Sequence, residues 1–193
     1  IYLSLIGREE GVLKDGTTFI CSDRSDQPEP YTLSRALADS SNEFFANLVA
    51  KLGVSKVRSY LERWDYPDAD IPSSAKPLDV AMGQVFSVSP RQQLRMLVRF
   101  QAHELPGISE KSFEAVERAM REKEFRSLQG KTGSDHNGSW FIGFTEGRLY
   151  VLRSDVPNSQ GKDLKALLIE HLRDSAPPSP PAQDRDSLTR PQD

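Results

Sequence analysis

The stretch SLQGKTGSDHNGSWFIGF, Ser127 to Phe144, sets a lysine and a threonine ahead of an aromatic and branched run, and it decides how the rest of the chain reads. The run WFIGF and the following RLYVLR, Arg148 to Arg153, are short and rich in aromatic and branched residues, with Thr145-Glu146-Gly147 between them. That pattern predicts a hairpin, and RSLQGKTG is its third antiparallel neighbour. A strand carrying Lys131, Thr132 and Gly133 offers a cation, a hydroxyl donor and a position without a side chain, where a substrate backbone can lie alongside. The triplet alone also fits an ordinary strand edge, so its meaning depends on what the fold brings near it.

Ahead of this region the pattern is helical. Residues 32–52 read as two short helices broken at Asp39-Ser40-Ser41-Asn42, the second with Phe44, Phe45, Leu48, Val49 and Leu52 on one face and a stop at Gly53. Val54, Val57, Leu61 and Trp64 continue the spacing over 54–64, before the loop DYPDADIPSSAKP. Ser89, Pro90 and Gln92 supply an N-cap, a first-turn proline and a capping-box partner for a helix carrying Leu94, Leu97 and Val98. Ser109 caps the next, with Phe113, Val116 and Met120 inward, and a last helix over 162–173 stripes Leu164, Leu167, Leu168 and Leu172. Beyond it, SAPPSPPAQDRDSLTRPQD has almost nothing to bury, which makes 1–175 the folded domain and 176–193 a disordered tail.

With 193 residues, 37% of them hydrophobic, the chain can bury one sizeable core. Its 25 basic and 28 acidic residues leave a net charge of -3, which argues against nucleic acid as a partner. The lone Cys21 excludes an intrachain disulfide and a cysteine metal cage, and is expected to be a packed thiol. The three histidines have no metal-ligand spacing; His103 and His171 fall in helical patterns, and His136 is placed to line a cleft rim. The opening IYLSLIGREEGVL places Ile1, Leu3, Leu5 and Ile6 as if a core helix had been cut partway, so a fragment is expected.

Ser40-Ser41-Asn42 has two readings. Ser and Asn commonly cap helices, and a serine hydroxyl with an asparagine amide on a rigid turn can also relay a proton and bind a substrate amide. Taken in order, with the helix NEFFANLVAKLG behind the turn and WFIGF behind Lys131-Thr132-Gly133, the pair resembles the second and third motifs of the active-site-serine penicillin-recognising enzymes, the penicillin-binding transpeptidases and class D β-lactamases. The likeness covers most of residues 1–173. GQVFSVSPRQQL is similar to a transpeptidase segment, whereas the short gap from Lys-Thr-Gly to Trp140 looks more like class D and the related β-lactam sensor domains.

The resemblance implies an α/β (α+β) fold in which an antiparallel sheet packed with helices meets an all-helical lobe, with the site between them. It makes Ser40 a proton-shuttling hydroxyl and Asn42 a ligand of the substrate's amide. Lys131 becomes the positive potential for a substrate carboxylate, Thr132 a hydrogen-bond donor to it, Gly133 room for the substrate backbone, and the Ser134 N–H an oxyanion-hole donor. No metal or organic cofactor is implied. The implied partners are a peptidoglycan stem peptide ending in D-Ala-D-Ala or a β-lactam, and the implied location is extracytoplasmic, with any membrane contact through an N-terminal anchor outside these residues.

The family's nucleophile is a Ser-x-x-Lys serine upstream of Ser-x-Asn. The match at Ser73 to Lys76 lies downstream, in a proline-flanked loop, and is expected to be a decoy. The nucleophile segment is therefore expected just before Ile1, leaving this fragment unable to acylate, with an uncovered sheet edge and a partly open cleft floor. Class D enzymes usually have a hydrophobic residue where Asn42 stands and Tyr-Gly-Asn where this chain has Tyr66-Pro67-Asp68, which favours a transpeptidase-like domain over a β-lactamase, with a non-enzymatic β-lactam sensor domain as the third reading.

Overall fold

The computed structural model describes residues 1–66, 71–85, 87–121, 125 and 127–174. The tail expected over 176–193 lies outside the described residues, as do Pro67 and Asp68. Helix α1 (Tyr2–Glu9) buries Leu5, Ile6 and Gly7. At Gly7 a Cβ would lie 2.8 Å from Leu48 Cδ1 and 2.9 Å from Leu13 Cδ1, so a larger residue would push these core side chains aside. Tyr2 packs edge-on against Trp64 and Tyr66, which anchors the start of the helix.

A two-stranded hairpin follows, β1 (Phe19–Cys21) against β2 (Glu29–Tyr31), antiparallel. Three-residue strands, one with Pro30 at its centre, carry too little alternation to be predicted. Cys21 is packed, 1% exposed. Helix α2 (Leu33–Asp39) starts where the Thr32 hydroxyl accepts from the Arg35 N–H. Helix α3 (Asn42–Leu52) buries Phe44, Leu48, Val49 and Leu52 as its periodicity predicts, and ends at Gly53, whose φ is +82°. Helices α4 (Val54–Arg63), α5 (Pro77–Ala81), α6 (Pro90–Gln101) and α7 (Glu110–Ala119) complete the helical lobe.

Strands β3 (Gln129–Asp135), β4 (Gly138–Thr145) and β5 (Arg148–Ser154) form one antiparallel sheet in that order. Helix α8 (Gly161–Asp174) covers one face. Side chains alternate across a strand, so Phe141, Tyr150 and Leu152 join Leu168 and Ile169 of α8. On the opposite face Phe144, Leu149 and Val151 join the helical core. The fold is thus the expected mixed α/β arrangement, a sheet between a helical lobe and a final helix. Among the described residues β5 pairs only with β4, and no helix is long and apolar enough to cross a membrane.

Three local expectations are corrected. Helix α6 keeps its capping box, but buries Met96, Leu97 and Phe100, leaving Leu94 42% and Val98 47% exposed. The larger Met and Phe side chains win the core, turning the buried face by roughly 100°, one residue step. In α8 Leu167 is 60% exposed and Ile169 takes its place inside. His103 lies past the end of α6 in a left-handed conformation (φ +57°), stacked on Phe113 and held by Glu110 and Glu117.

Candidate active site

The turn between α2 and α3 satisfies both readings of Ser40-Ser41-Asn42 by dividing them among its residues. Ser41 is the cap: its Oγ accepts from the Phe44 N–H at 3.1 Å. Ser40 ends α2 in the left-handed region (φ 55°, ψ 47°), a conformation costly for any residue with a Cβ. That geometry turns its hydroxyl out of the helical lobe, where the Lys131 ammonium donates to it at 2.5 Å. The two residues are 91 positions apart, so this contact joins the helical lobe to the sheet.

Lys131 sits in the cross-strand row Lys131–Ile142–Val151, on the face toward the helical lobe. Its ammonium also donates to the Thr132 carbonyl at 2.6 Å and lies 3.5 Å from the Thr132 hydroxyl. An ammonium only donates, so the Ser40 hydroxyl accepts from Lys131 and keeps its own proton to donate elsewhere. Ile1, whose carbonyl accepts from the Ser4 and Leu5 N–H groups at the start of α1, lies within electrostatic range of Lys131. The start of α1 therefore lies against the base of this site.

The outer edge of β3 completes the arrangement. The Gly130 N–H donates to the Met120 carbonyl, away from β4, and backbone direction alternates along a strand. The N–H groups of Thr132 and Ser134 therefore also point away from β4. The Ser134 side chain turns the other way, its Oγ accepting from the Gly161 N–H at 2.8 Å. Gly133 pairs with Trp140, and a Cβ there would only touch the Trp140 Cβ at 3.8 Å. Asn42 is exposed at the first position of α3, two residues from Ser40.

Ser73 lies in a turn and Lys76 is extended, at the N-cap of α5, so that match has no helix to set the lysine one turn from the serine. A second match, which motif reading passed over, is Ser159 to Lys162. It opens α8 on the far face of the sheet, where the Ser159 hydroxyl is engaged by Ser139 at 2.8 Å. Ser159 therefore lies across the sheet from the Ser40–Lys131 pair. His136 is exposed in the β3–β4 turn.

Sequence reasoning missed the support beneath the turn. Burial alone would raise the Asp23 carboxyl, but hydrogen bonds from the Ser41 hydroxyl and the Glu43 and Asn42 N–H groups outweigh it and hold the group below its usual range. The Arg24 guanidinium donates twice to the Ser40 carbonyl.

A helical lobe and an antiparallel sheet meeting at a Ser-x-Asn turn and a Lys-Thr-Gly strand are the architecture of the penicillin-recognising class. The family model described as "Penicillin binding protein transpeptidase domain" matches residues 1–167, and the chain belongs to that family. Among curated relatives it is 26% identical over 205 residues to β-lactamase OXA-9 of Klebsiella pneumoniae, covering 87% of this chain and 74% of that one. It is 25% identical over 159 residues to the methicillin resistance mecR1 protein of Staphylococcus aureus, covering 76% of this chain but 26% of that protein. Among solved structures, the class D β-lactamase from Bacillus subtilis superposes with a TM-score of 0.73 at 23% identity, covering 89% of this chain and 76% of that one.

Proposed function

We propose that this is a penicillin-binding, D-Ala-D-Ala transpeptidase-like serine acyl-transfer domain of peptidoglycan metabolism, working outside the cytoplasm. The supporting observation is the Lys131–Ser40 contact, which puts a cation and a proton-bearing hydroxyl at one point between the lobes. The carboxylate common to β-lactams and D-Ala-D-Ala peptides would be held by Lys131 and the Thr132 hydroxyl. Gly133 leaves the strand edge open to the ligand backbone, the Ser134 N–H aims at the developing oxyanion, and Asn42 takes the side-chain amide. Ser40, already accepting from Lys131, passes its proton to the leaving nitrogen. Ser159 lies on the far face of the sheet and Ser73 has no helix to set Lys76 beside it, so the role assigned to the groups in hand is to bind the substrate and move protons.

A class D β-lactamase is the second reading, favoured by the OXA-9 likeness and by the short gap from Lys-Thr-Gly to Trp140. Asn42 in place of a hydrophobic residue favours the first. Titrating the 193-residue chain with benzylpenicillin, followed by amide NMR, should perturb residues 40–42 and 131–134, and Lys131→Gln should abolish the perturbation. Shifts elsewhere, or binding untouched by that substitution, would refute the site. Rapid turnover of a chromogenic cephalosporin by the full-length protein would refute the transpeptidase assignment.

A further inference from the structure

The segment Ser22-Asp23-Arg24, directly after β1, belongs to none of the recognised motifs, yet it grips the Ser40 turn from below with both signs of charge. The Arg24 Nη2 and Nε donate to the Ser40 carbonyl at 2.7 and 3.1 Å. Asp23 Oδ1 accepts from the Ser41 hydroxyl at 2.6 Å, and Oδ2 from the N–H groups of Asn42 and Glu43 at 2.7 and 3.2 Å. Glu43 closes the loop in return, its Oε2 accepting from the Ser22 N–H and hydroxyl. The turn is therefore held at the carbonyl before Ser41 and at the N–H groups after it.

These contacts matter because Ser40 holds a left-handed conformation that its own side chain disfavours. Relaxation of Ser40 out of the left-handed region, through both its φ and its ψ, would swing the carbonyl and turn the hydroxyl away from Lys131. A bidentate guanidinium opposes that relaxation, since a displaced carbonyl leaves both donors without their acceptor. Asp23 acts on the helix side of the peptide and can cap α3 in either setting of the Ser40 carbonyl. Arg24 is the member specific to the orientation that serves the site.

We propose that Arg24 is a positioning residue for the Ser40–Lys131 pair, its guanidinium fixing the Ser40 carbonyl so that the hydroxyl faces the Lys131 ammonium. This rests on the assignment of those two residues to substrate binding and proton transfer.

The test uses the 193-residue chain with Arg24→Gln and Arg24→Lys. Two quantities are read: the 15N resonance of the Lys131 ammonium without ligand, and benzylpenicillin affinity. Arg24 is 41% exposed at its side chain, so both variants should fold. Arg24→Gln should move the Lys131 ammonium signal and weaken benzylpenicillin binding about tenfold, the low end of what one lost charge-assisted hydrogen bond costs. Arg24→Lys, with charge but no fork, should fall between the parent and the glutamine variant. An unmoved Lys131 signal in a folded variant overturns the proposal. If the parent chain binds no β-lactam, the functional assignment fails, and the Lys131 signal alone still decides whether Arg24 positions the pair.

Discussion

Ser40→Gly and Ser40→Ala, compared with each other, isolate the backbone cost built into the site. Both remove the hydroxyl that Lys131 contacts, so that interaction cancels in the comparison. What remains is the conformation at φ 55°, ψ 47°. A left-handed residue with a Cβ costs roughly 1–2 kcal/mol, and glycine avoids it. Glycine in turn gives the unfolded chain more freedom, worth about 0.4–1 kcal/mol in favour of alanine. The balance leaves Ser40→Gly the more stable by about 0.5–1 kcal/mol, the reverse of the order inside a helix. For a chain this long that is about 1–4 °C in melting temperature. Urea unfolding at equal m-values measures it directly. Both variants should lose benzylpenicillin binding alike, separating strain from function. An alanine variant as stable as the glycine variant, or more so, would refute the left-handed turn.

Three other perturbations probe the frame around the site. At Gly161 a Cβ would meet the backbone oxygens of Trp140 and Gly133 at 2.5 and 2.7 Å, so Gly161→Ala should cost about 1–3 kcal/mol in urea unfolding and shift the Gly133 and Ser134 amide signals; an unaffected β3 would refute the tight α8–β3 contact. Burial lowers the His103 pKa, but Glu117 and Glu110 raise it further, above its ordinary value; the stabilisation is complete below about pH 6.5 and fades as pH climbs through the higher folded value, so His103→Gln should cost more at about pH 6 than at about pH 8, and equal costs would refute the clamp. Removing the α6 cap with Ser89→Ala should cost about 1 kcal/mol in urea unfolding without changing ligand binding, since among the described residues the Ser89 hydroxyl accepts from the Gln92 N–H of its own capping box; a binding change would show that α6 reaches the site.

Much of the fold was legible because its signals are local. The α3 and α4 stripes, the capping box at Ser89 and the Glu146-Gly147 hairpin each depend on residues a few positions apart. The β1–β2 hairpin was not, since three residues cannot establish a period. Ser109 stands at the expected N-cap of α7, but its hydroxyl makes no cap bond and donates to Glu9, a partner 100 positions away.

The site divides in the same way. Ser40, Asn42 and Lys131 could be named because their residue types and order match a family pattern, and the break between α2 and α3 was visible in the sequence. Arg24 and Asp23 could not be named, because a polar loop carries no periodicity and their partners become neighbours only when β1 packs beside α3.

By itself, then, the sequence determined which residues carry a cation, a hydroxyl and an open strand edge, and where the longer helices and the β3–β5 strands would lie. The tertiary structure alone decided that the cation and the hydroxyl meet. It did so by spending strain at Ser40, gripping that turn from a distant loop, and seating Lys131 on the one sheet face that looks toward the helical lobe. Side-chain period and capping act over a few residues, but the direction of a hydroxyl across 91 positions is set only by packing.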